Sequence, residues 1–380
     1  MNIFYKHLKN NISIIISTAI FIIGMWLSTG NLSPYANTLP ENGTEAFMLD
    51  TTNMQIYNCD HPHHIALFNM LDGKPKSEWD FSVVMRRILF SLLAFPLMKL
   101  LGYETGGVLF SILLNLLAYF IFIRFIKNKY GYKSSLISAW LLSLYPGIMY
   151  GVGTPYAYNC IVPFTIFSTI LLFKIQDTVK IKWFFLYFFL MGVLFTGYDL
   201  ISFFLPAALI ILFIKRKYII IPLAIILMVL PSVILNLILS YFLEIEFKND
   251  SSNIYSVIIN SYFQIFNNIT DWNWIYEWLR YVLYQNNFLI ILGHIFLKSN
   301  FYVLPSLFIL FYLIGHFKYH MRLNLIEGTL LFVTLLIFLF NHLAPKYTGY
   351  QMRGDWIARI YQPVFIVYTY HVFLILLLRI

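Results

Sequence analysis

The chain has 380 residues, of which 60% are hydrophobic and only 11% charged. Soluble domains run at roughly 45–50% apolar and 25% charged, so composition excludes an ordinary soluble globular domain. The long apolar runs also exclude a β-barrel, whose spans are short and alternating. The formal net charge of +9 invites a nucleic-acid reading. The Lys and Arg residues, however, lie in short clusters between apolar runs, as in the cytoplasmic loops of membrane proteins. No nucleic acid is therefore expected as a partner.

The five clusters are Lys6/Lys9, Arg124/Lys127/Lys129/Lys133, Lys174/Lys180/Lys182, Lys215/Arg216/Lys217 and Lys318/Arg322. Placing all of them in the cytoplasm threads the chain. Ile12–Leu27 runs outward as a retained helix with no small-residue cleavage site after it. Residues 28–105 then form a first external loop. Val108–Phe125 runs inward, Ser135–Gly151 outward, Cys160–Phe173 inward, Trp183–Phe195 outward, Ile201–Ile214 inward and Tyr218–Leu239 outward. A second external segment covers 243–300. Tyr302–Gly315 runs inward, Leu330–Asn341 outward and Pro363–Leu378 inward. Ile88–Leu101 and Ile275–Leu297 carry charges or prolines mid-run, so they are expected as interfacial or re-entrant helices on the outer face. The expected fold is all-α: one polytopic transmembrane domain over 1–380, with about ten spanning helices of ~20 residues each and the N-terminus cytoplasmic.

This threading gathers the polar groups on the outer side. The stretch "NCDHPHHIALFNMLDGK", 58–74, supplies Asp60, His61, His63, His64 and Asp72. Asp60 has two readings: a general base for a hydroxyl nucleophile, or the N-cap of a helix that begins near Pro62. His61 and His64 could ligate a divalent metal, while solvated loop histidines are the plainer alternative. Arg86, Arg87, Arg353 and Arg359 suit a lipid phosphate or diphosphate, because the guanidinium fork pairs bidentately with phosphate. The alternative for them is snorkelling to lipid headgroups. Tyr156, Tyr198 and Asp199 lie on the next outer segments. Trp272, Trp274 and Trp278 read first as an interfacial aromatic belt. The two cysteines, Cys59 and Cys160, give no disulfide framework. The chain has no GxGxxG, Walker A, HExxH or GxSxG motif, so no machinery for cytoplasmic nucleotide-dependent chemistry is visible, and if an activated donor is used it should be membrane-borne.

In order, the chain reads "CDHPHHIALF" at 59–68, "MRRILFSLLAFP" at 85–96, "LLNLLAYF" with Asn115, "LYPGIMYGV" with Pro146 and Gly147, and finally "ARIYQP". This series resembles the GT-C superfamily of polytopic membrane glycosyltransferases, which includes protein O-mannosyltransferases, aminoarabinose transferases and the oligosaccharyltransferase catalytic subunit. The likeness is best over residues 55–215. It implies an enzyme of a bacterial inner membrane with its active site on the outer face. Such an enzyme transfers sugar from a polyprenyl-phosphate or polyprenyl-diphosphate donor to a hydroxyl of a glycan, lipid or protein acceptor.

By position, Asp60 is similar to the catalytic first-loop Asp, and Arg86 or Arg87 to the Arg that leads the amphipathic stretch. Donor phosphate would then meet Arg86, Arg87, Arg353 and Arg359, and substrate would meet His63, His64, Tyr156 and Asp199. Where relatives carry a metal-binding carboxylate, this chain has Thr154-Pro155-Tyr156. A divalent metal, Mg or Mn, would therefore depend on His61 and His64 substituting. Two other readings stand beside this one: a transporter or flippase for a lipid-linked or anionic solute, and a catalytically inactive relative.

Overall fold

Apolar sequence and hydrogen-bond bookkeeping together dictate helices here, since a helix satisfies its own backbone. The computed structural model describes residues 2–30, 61–74, 87–144, 160–178, 180–198, 201, 204–243, 267–280, 325, 328 and 329. The described residues are helical, with no strand among them. The helices are α1 (Asn2–Gly30), α2 (His61–Leu71), α3 (Ile88–Leu101), α4 (Tyr103–Tyr130), α5 (Tyr132–Ser143), α6 (Ile161–Asp177), α7 (Ile181–Phe195), α8 (Phe204–Ile214), α9 (Ile220–Leu243) and α10 (Trp272–Arg280). Two of them, Tyr103–Tyr130 and Ile220–Leu239, are long and apolar enough to cross a membrane. Ile12–Trp26, Ile88–Leu101, Ile181–Phe195 and Phe204–Ile214 are shorter apolar helices. The expected spans Tyr302–Gly315, Leu330–Asn341 and Pro363–Leu378 lie outside the described residues.

The chain divides into two units. The first contains α1 to α7 and α9, and α4 is its spine. α3 turns back onto α4 through Gly102, whose φ of +88° a residue with a side chain rarely adopts. The two helices meet closely because Gly106 lies on the backbone of Leu97 and Met98, where a Cβ would collide. Phe90 meets Phe110 edge-on at 5.4 Å, so α3 runs antiparallel beside the first half of α4. Gly131 (φ +92°) turns α4 into α5, and its N–H closes α4 by donating to the Lys127 carbonyl.

α1 lies against α4 and α5. Phe21 stacks on Tyr119 at 4.8 Å, the Tyr119 hydroxyl is 2.7 Å from that of Ser17, and Trp140 Nε1 donates to Ser13 Oγ at 2.8 Å. Along this seam the small polar residues return their hydrogen bonds to their own helices. Ser111 donates to Gly107 O, Asn115 to Ser111 O, Ser134 to Tyr130 O and Ser138 to Ser134 O. A hydroxyl so satisfied can be buried at little cost and lets helices approach.

On its other side α4 packs on α6, α6 on α7, and α7 on α9. Phe125 meets Phe173 at 5.1 Å, and Lys129 pairs with Asp177 at 3.0 Å. The α7–α9 contact is tight because Gly192 faces the carbonyls of Leu227 and Met228. Pro231 lies inside α9 and has no N–H to give to the carbonyl four residues back, which is that of Leu227. α9 continues past the end of α7. There Leu235 and Leu239 join Ala66, Leu67, Met70, Ile88 and Leu92, so α2, α3 and α9 share one apolar core above the end of α7.

The second unit contains α8 and α10. α10 is a short amphipathic helix that Asp271 caps, its carboxylate accepting from the backbone N–H of Asn273 (3.0 Å) and Trp274 (3.2 Å). Asn273, Glu277 and Arg280 follow one helical stripe, and Trp272, Tyr276 and Leu279 are exposed.

Candidate functional site

The candidate site lies where α2, α3 and α7 meet, and each of its side chains is placed by a local backbone reason. α7 ends at Thr196. The Thr196 hydroxyl donates to Val193 O at 2.7 Å, and Tyr198 N–H donates back to Leu194 O. Gly197 then passes against the Phe164 ring of α6, which occupies the space a Cβ would need. α3 begins at Ile88 with Arg87 at its N-cap. The free N–H of Leu89 in the first turn of α3 donates to the Thr196 carbonyl at 3.2 Å. One bond thus satisfies a donor at a helix start and secures an acceptor at a helix end.

Arg87 is 9% exposed, Tyr198 3% and His64 1%. The Arg87 guanidinium carbon stands 4.8 Å from the Tyr198 ring centroid. On α3, Ser91 follows Arg87 by four positions and shares its face. The Ser91 hydroxyl is 3.5 Å from Nδ1 of His64, which α2 brings in beside the buried Leu67.

The electrostatics favour a cation here. The C-terminus of α7 carries partial negative charge, and the Tyr198 ring face attracts a guanidinium. The same corner also favours an incoming anion. The start of α3 presents backbone donors and positive dipole, and Arg87 and His64 add side-chain donors.

Of the residues selected from sequence, Arg87 and His64 come together at this junction. His61 and His63 lie in the first turn of α2, and the described structure does not extend to their side chains. Asp60, Arg86, Tyr156, Asp199, Arg353 and Arg359 lie outside the described residues, as does Cys59, while Cys160 is a buried thiol at the N-cap of α6. Among the described residues no three His, Cys, Asp or Glu side chains group as metal ligands. A divalent ion needs at least three or four donors. His61 and His64, one turn apart on α2, would be two of them.

Three members of the junction were not selected as site residues from sequence: Tyr198, placed there only on an outer segment beside Asp199, Ser91 and Thr196. Ser91 had a legible signal, as the lone polar residue in "ILFSLLAFP", one turn after an Arg. Thr196 had none, since its role is a backbone carbonyl. Comparison with family models, with curated proteins and with solved structures finds no match.

Proposed function

We propose that the chain is a multi-pass membrane protein that binds the phosphate of a polyprenyl-linked sugar at Arg87 and transfers that sugar to an acceptor hydroxyl. The observation that carries this reading is a buried guanidinium on a tyrosine ring at a helix start, one turn before a serine that meets a buried imidazole. A charge in an apolar bundle is costly and serves a substrate by default.

The membrane part of the reading rests on surface and charge. Ile15, Ile23, Leu117, Phe189, Ile226 and Leu237 are large, apolar and exposed on α1, α4, α7 and α9, a surface suited to lipid rather than water. Lys6 and Lys9 begin α1, Lys127 and Lys129 end α4, Lys133 begins α5, Lys174 ends α6, and Lys180 and Lys182 precede or begin α7. These helix ends lie together, which suits one cytoplasmic face. About ten spans and an outward-facing site follow from the same threading.

In the reaction, Arg87 and the start of α3 hold the donor phosphate. Asp60 takes the proton of the acceptor hydroxyl as its oxygen attacks the anomeric carbon. The bond from that carbon to the phosphate oxygen breaks, and the phosphate leaves as an anion paired with Arg87. Preorganised positive charge of this kind makes a general acid unnecessary. Purified protein in detergent should be stabilised against heat by polyprenyl phosphate and not by polyprenol, and Arg87→Gln should abolish that stabilisation. An Asp60→Asn variant should still bind polyprenyl phosphate yet transfer no sugar; undiminished transfer would remove Asp60 from the mechanism.

One observation favours a second reading, movement of a lipid-linked anion across the bilayer. α3 descends beside α4 for 14 residues from the Gly102 turn, about 21 Å, so Arg87 stands near the middle of the 28-residue α4 rather than at its outer end. Binding charge near the midplane is a transporter feature. Proteoliposomes holding a labelled polyprenyl-phosphate sugar separate the two: transfer creates a heavier acceptor, whereas translocation changes only the leaflet of the label.

A further inference from the structure

We infer that the basic end of the first unit is a docking surface for the headgroups of anionic phospholipids; this rests on the multi-pass membrane reading above and not on the Arg87 site. Several helix ends build it. Phe125 meets Phe173 and Lys129 reaches Asp177 at 3.0 Å, so the last turns of α4 and α6 lie side by side. α5 leaves α4 at Gly131, and α7 begins at Ile181, just after α6 ends at Asp177. Ser13 of α1 meets Trp140 of α5, and Ser17 meets Tyr119 of α4. α1 therefore runs antiparallel to α4, and its first turns, with Lys6 and Lys9, lie toward the same end.

Arg124, Lys127, Lys129, Lys133, Lys174, Lys180 and Lys182 are all exposed there. Among the described residues Asp177 is the one acid at this end, and it pairs with Lys129. No acid among the described residues neutralises the other six cations. Like charges packed this way repel one another, and a layer of anionic headgroups relieves the repulsion. Rings set the patch at headgroup depth. Lys127 lies 5.7 Å from the Tyr132 ring, Lys129 5.4 Å from Phe173 and Lys182 5.6 Å from Trp183. Trp183 is 40% exposed and stacks on Tyr187, one turn further along α7. Exposed Trp and Tyr beside an ammonium suit a bilayer boundary, where the rings sit among the glycerol groups and the lysine stem carries its charge to the phosphates. A surface for soluble anions would need the cations without the rings.

The test uses the full-length protein in phosphatidylcholine vesicles, with spin-labelled phosphatidylglycerol or phosphatidylcholine as the probe of lipid held at its surface. One cation near an anionic headgroup is worth about a fivefold preference, so phosphatidylglycerol should be retained about fivefold over phosphatidylcholine at low salt. The preference should fall toward parity near ~1 M salt, where screening acts within about 3 Å. Combining Lys174→Gln, Lys180→Gln and Lys182→Gln should roughly halve it, and Arg87→Gln should leave it in place. Equal retention of the two lipids by the parent overturns the surface, as does a preference that neither salt nor the triple substitution moves. Loss of the preference in Arg87→Gln alone would assign the lipid to the α3 junction and overturn it as well. Displacement of the labelled phosphatidylglycerol by an equal concentration of soluble glycerol phosphate would show a site for free anions and also overturn it. The salt series is run on the parent protein, so it decides the matter even where the triple variant fails to fold. A protein that shows the lipid preference but does not distinguish polyprenyl phosphate from polyprenol keeps this surface and loses the sugar-donor reading.

Discussion

Among the described residues, two of the places where the first unit buries polar groups differ in kind. At the seam of α1, α4 and α5 the buried polar atoms are hydroxyls and one amide, and they spend their hydrogen bonds on their own helices or on one neighbour: Ser111 on Gly107, Asn115 on Ser111, Tyr119 on Ser17. At the junction of α2, α3 and α7 they include a guanidinium, an imidazole and a phenol, drawn from three separate elements. Neutral groups satisfied in place let helices approach and can be deleted cheaply. A buried cation has to be maintained against its desolvation cost. The first pattern is packing, and the second is the pattern of the candidate site.

The largest effect that tests this contrast belongs to Arg87. Charge-assisted hydrogen bonds are worth about 1.5–3 kcal/mol each, so Arg87→Gln should weaken polyprenyl-phosphate binding about a hundredfold. Arg87→Lys keeps the charge, loses the fork, and should cost about tenfold. Thermal stability without ligand should change little in either. A large fall in stability with affinity retained would make Arg87 a structural residue and erase the difference between the two regions.

The next effect supplies the opposite signature. Gly192→Leu forces a side chain into the Leu227 and Met228 carbonyls. Such overpacking costs about 1–3 kcal/mol, so the melting temperature should fall, while the protein that remains folded binds polyprenyl phosphate as before. If affinity fell as well, the α7–α9 contact would be shaping the pocket, and packing and site would not be separable there.

How much of this was legible beforehand follows the same divide. Helix existence depends on local composition, and it was readable. Val108–Phe125 expands to Tyr103–Tyr130, Trp183–Phe195 to Ile181–Phe195, and Ile88–Leu101 is a helix over the span read from sequence. The extensions have a cause: Gly102 and Gly131 adopt positive φ and end the helices, whereas hydropathy fades at Arg124, still inside α4. A helix starting near Pro62 was also foreseeable, because proline fits the first turn.

Tertiary pairing was less accessible. Arg87 and Tyr198 are far apart in the chain, and no periodicity links them. Ile88–Leu101 is expected from sequence as an interfacial or re-entrant helix on the outer face, and the Gly106 contact with Leu97 adds what the sequence did not show: it lies beside α4, with Arg87 at the end away from the turn. That contact depends on a missing side chain, which hydropathy does not register. The small residues of α5, Ser134, Ser135 and Ser138, carried a packing signal of their own in their spacing, but not the identity of the partner helix.

A smaller effect sharpens the seam's side of the comparison. Tyr119→Phe deletes the 2.7 Å bond to Ser17 and keeps the stack on Phe21. Hydrogen bonds between helices in a bilayer average about 0.6 kcal/mol, so stability should fall slightly and phosphate affinity not at all. A loss of affinity on removing this hydroxyl would mean that the seam and the junction are coupled through α4.

The smallest effect lies at the end of the bundle where the basic residues collect. Lys129 pairs with Asp177 at 3.0 Å, with both side chains largely exposed, and its ammonium also lies 5.4 Å from the Phe173 ring. An exposed pair of this kind contributes at most about 1 kcal/mol, and the ring contact a similar small amount. Lys129→Ala should therefore lower the melting temperature barely, and less in high salt, where the pair is already screened. Under the proposed threading its positive charge has a second role that stability does not report, as one of several that hold this end in the cytoplasm. Arg124, Lys127 and Lys133 remain in the variant, so a reporter fused after residue 130 should stay cytoplasmic. Replacing all four should move it, because orientation follows the summed charge of the loop and not any single pair. A reporter found outside in the unaltered protein would reverse the threading and turn the Arg87 junction toward the cytoplasm.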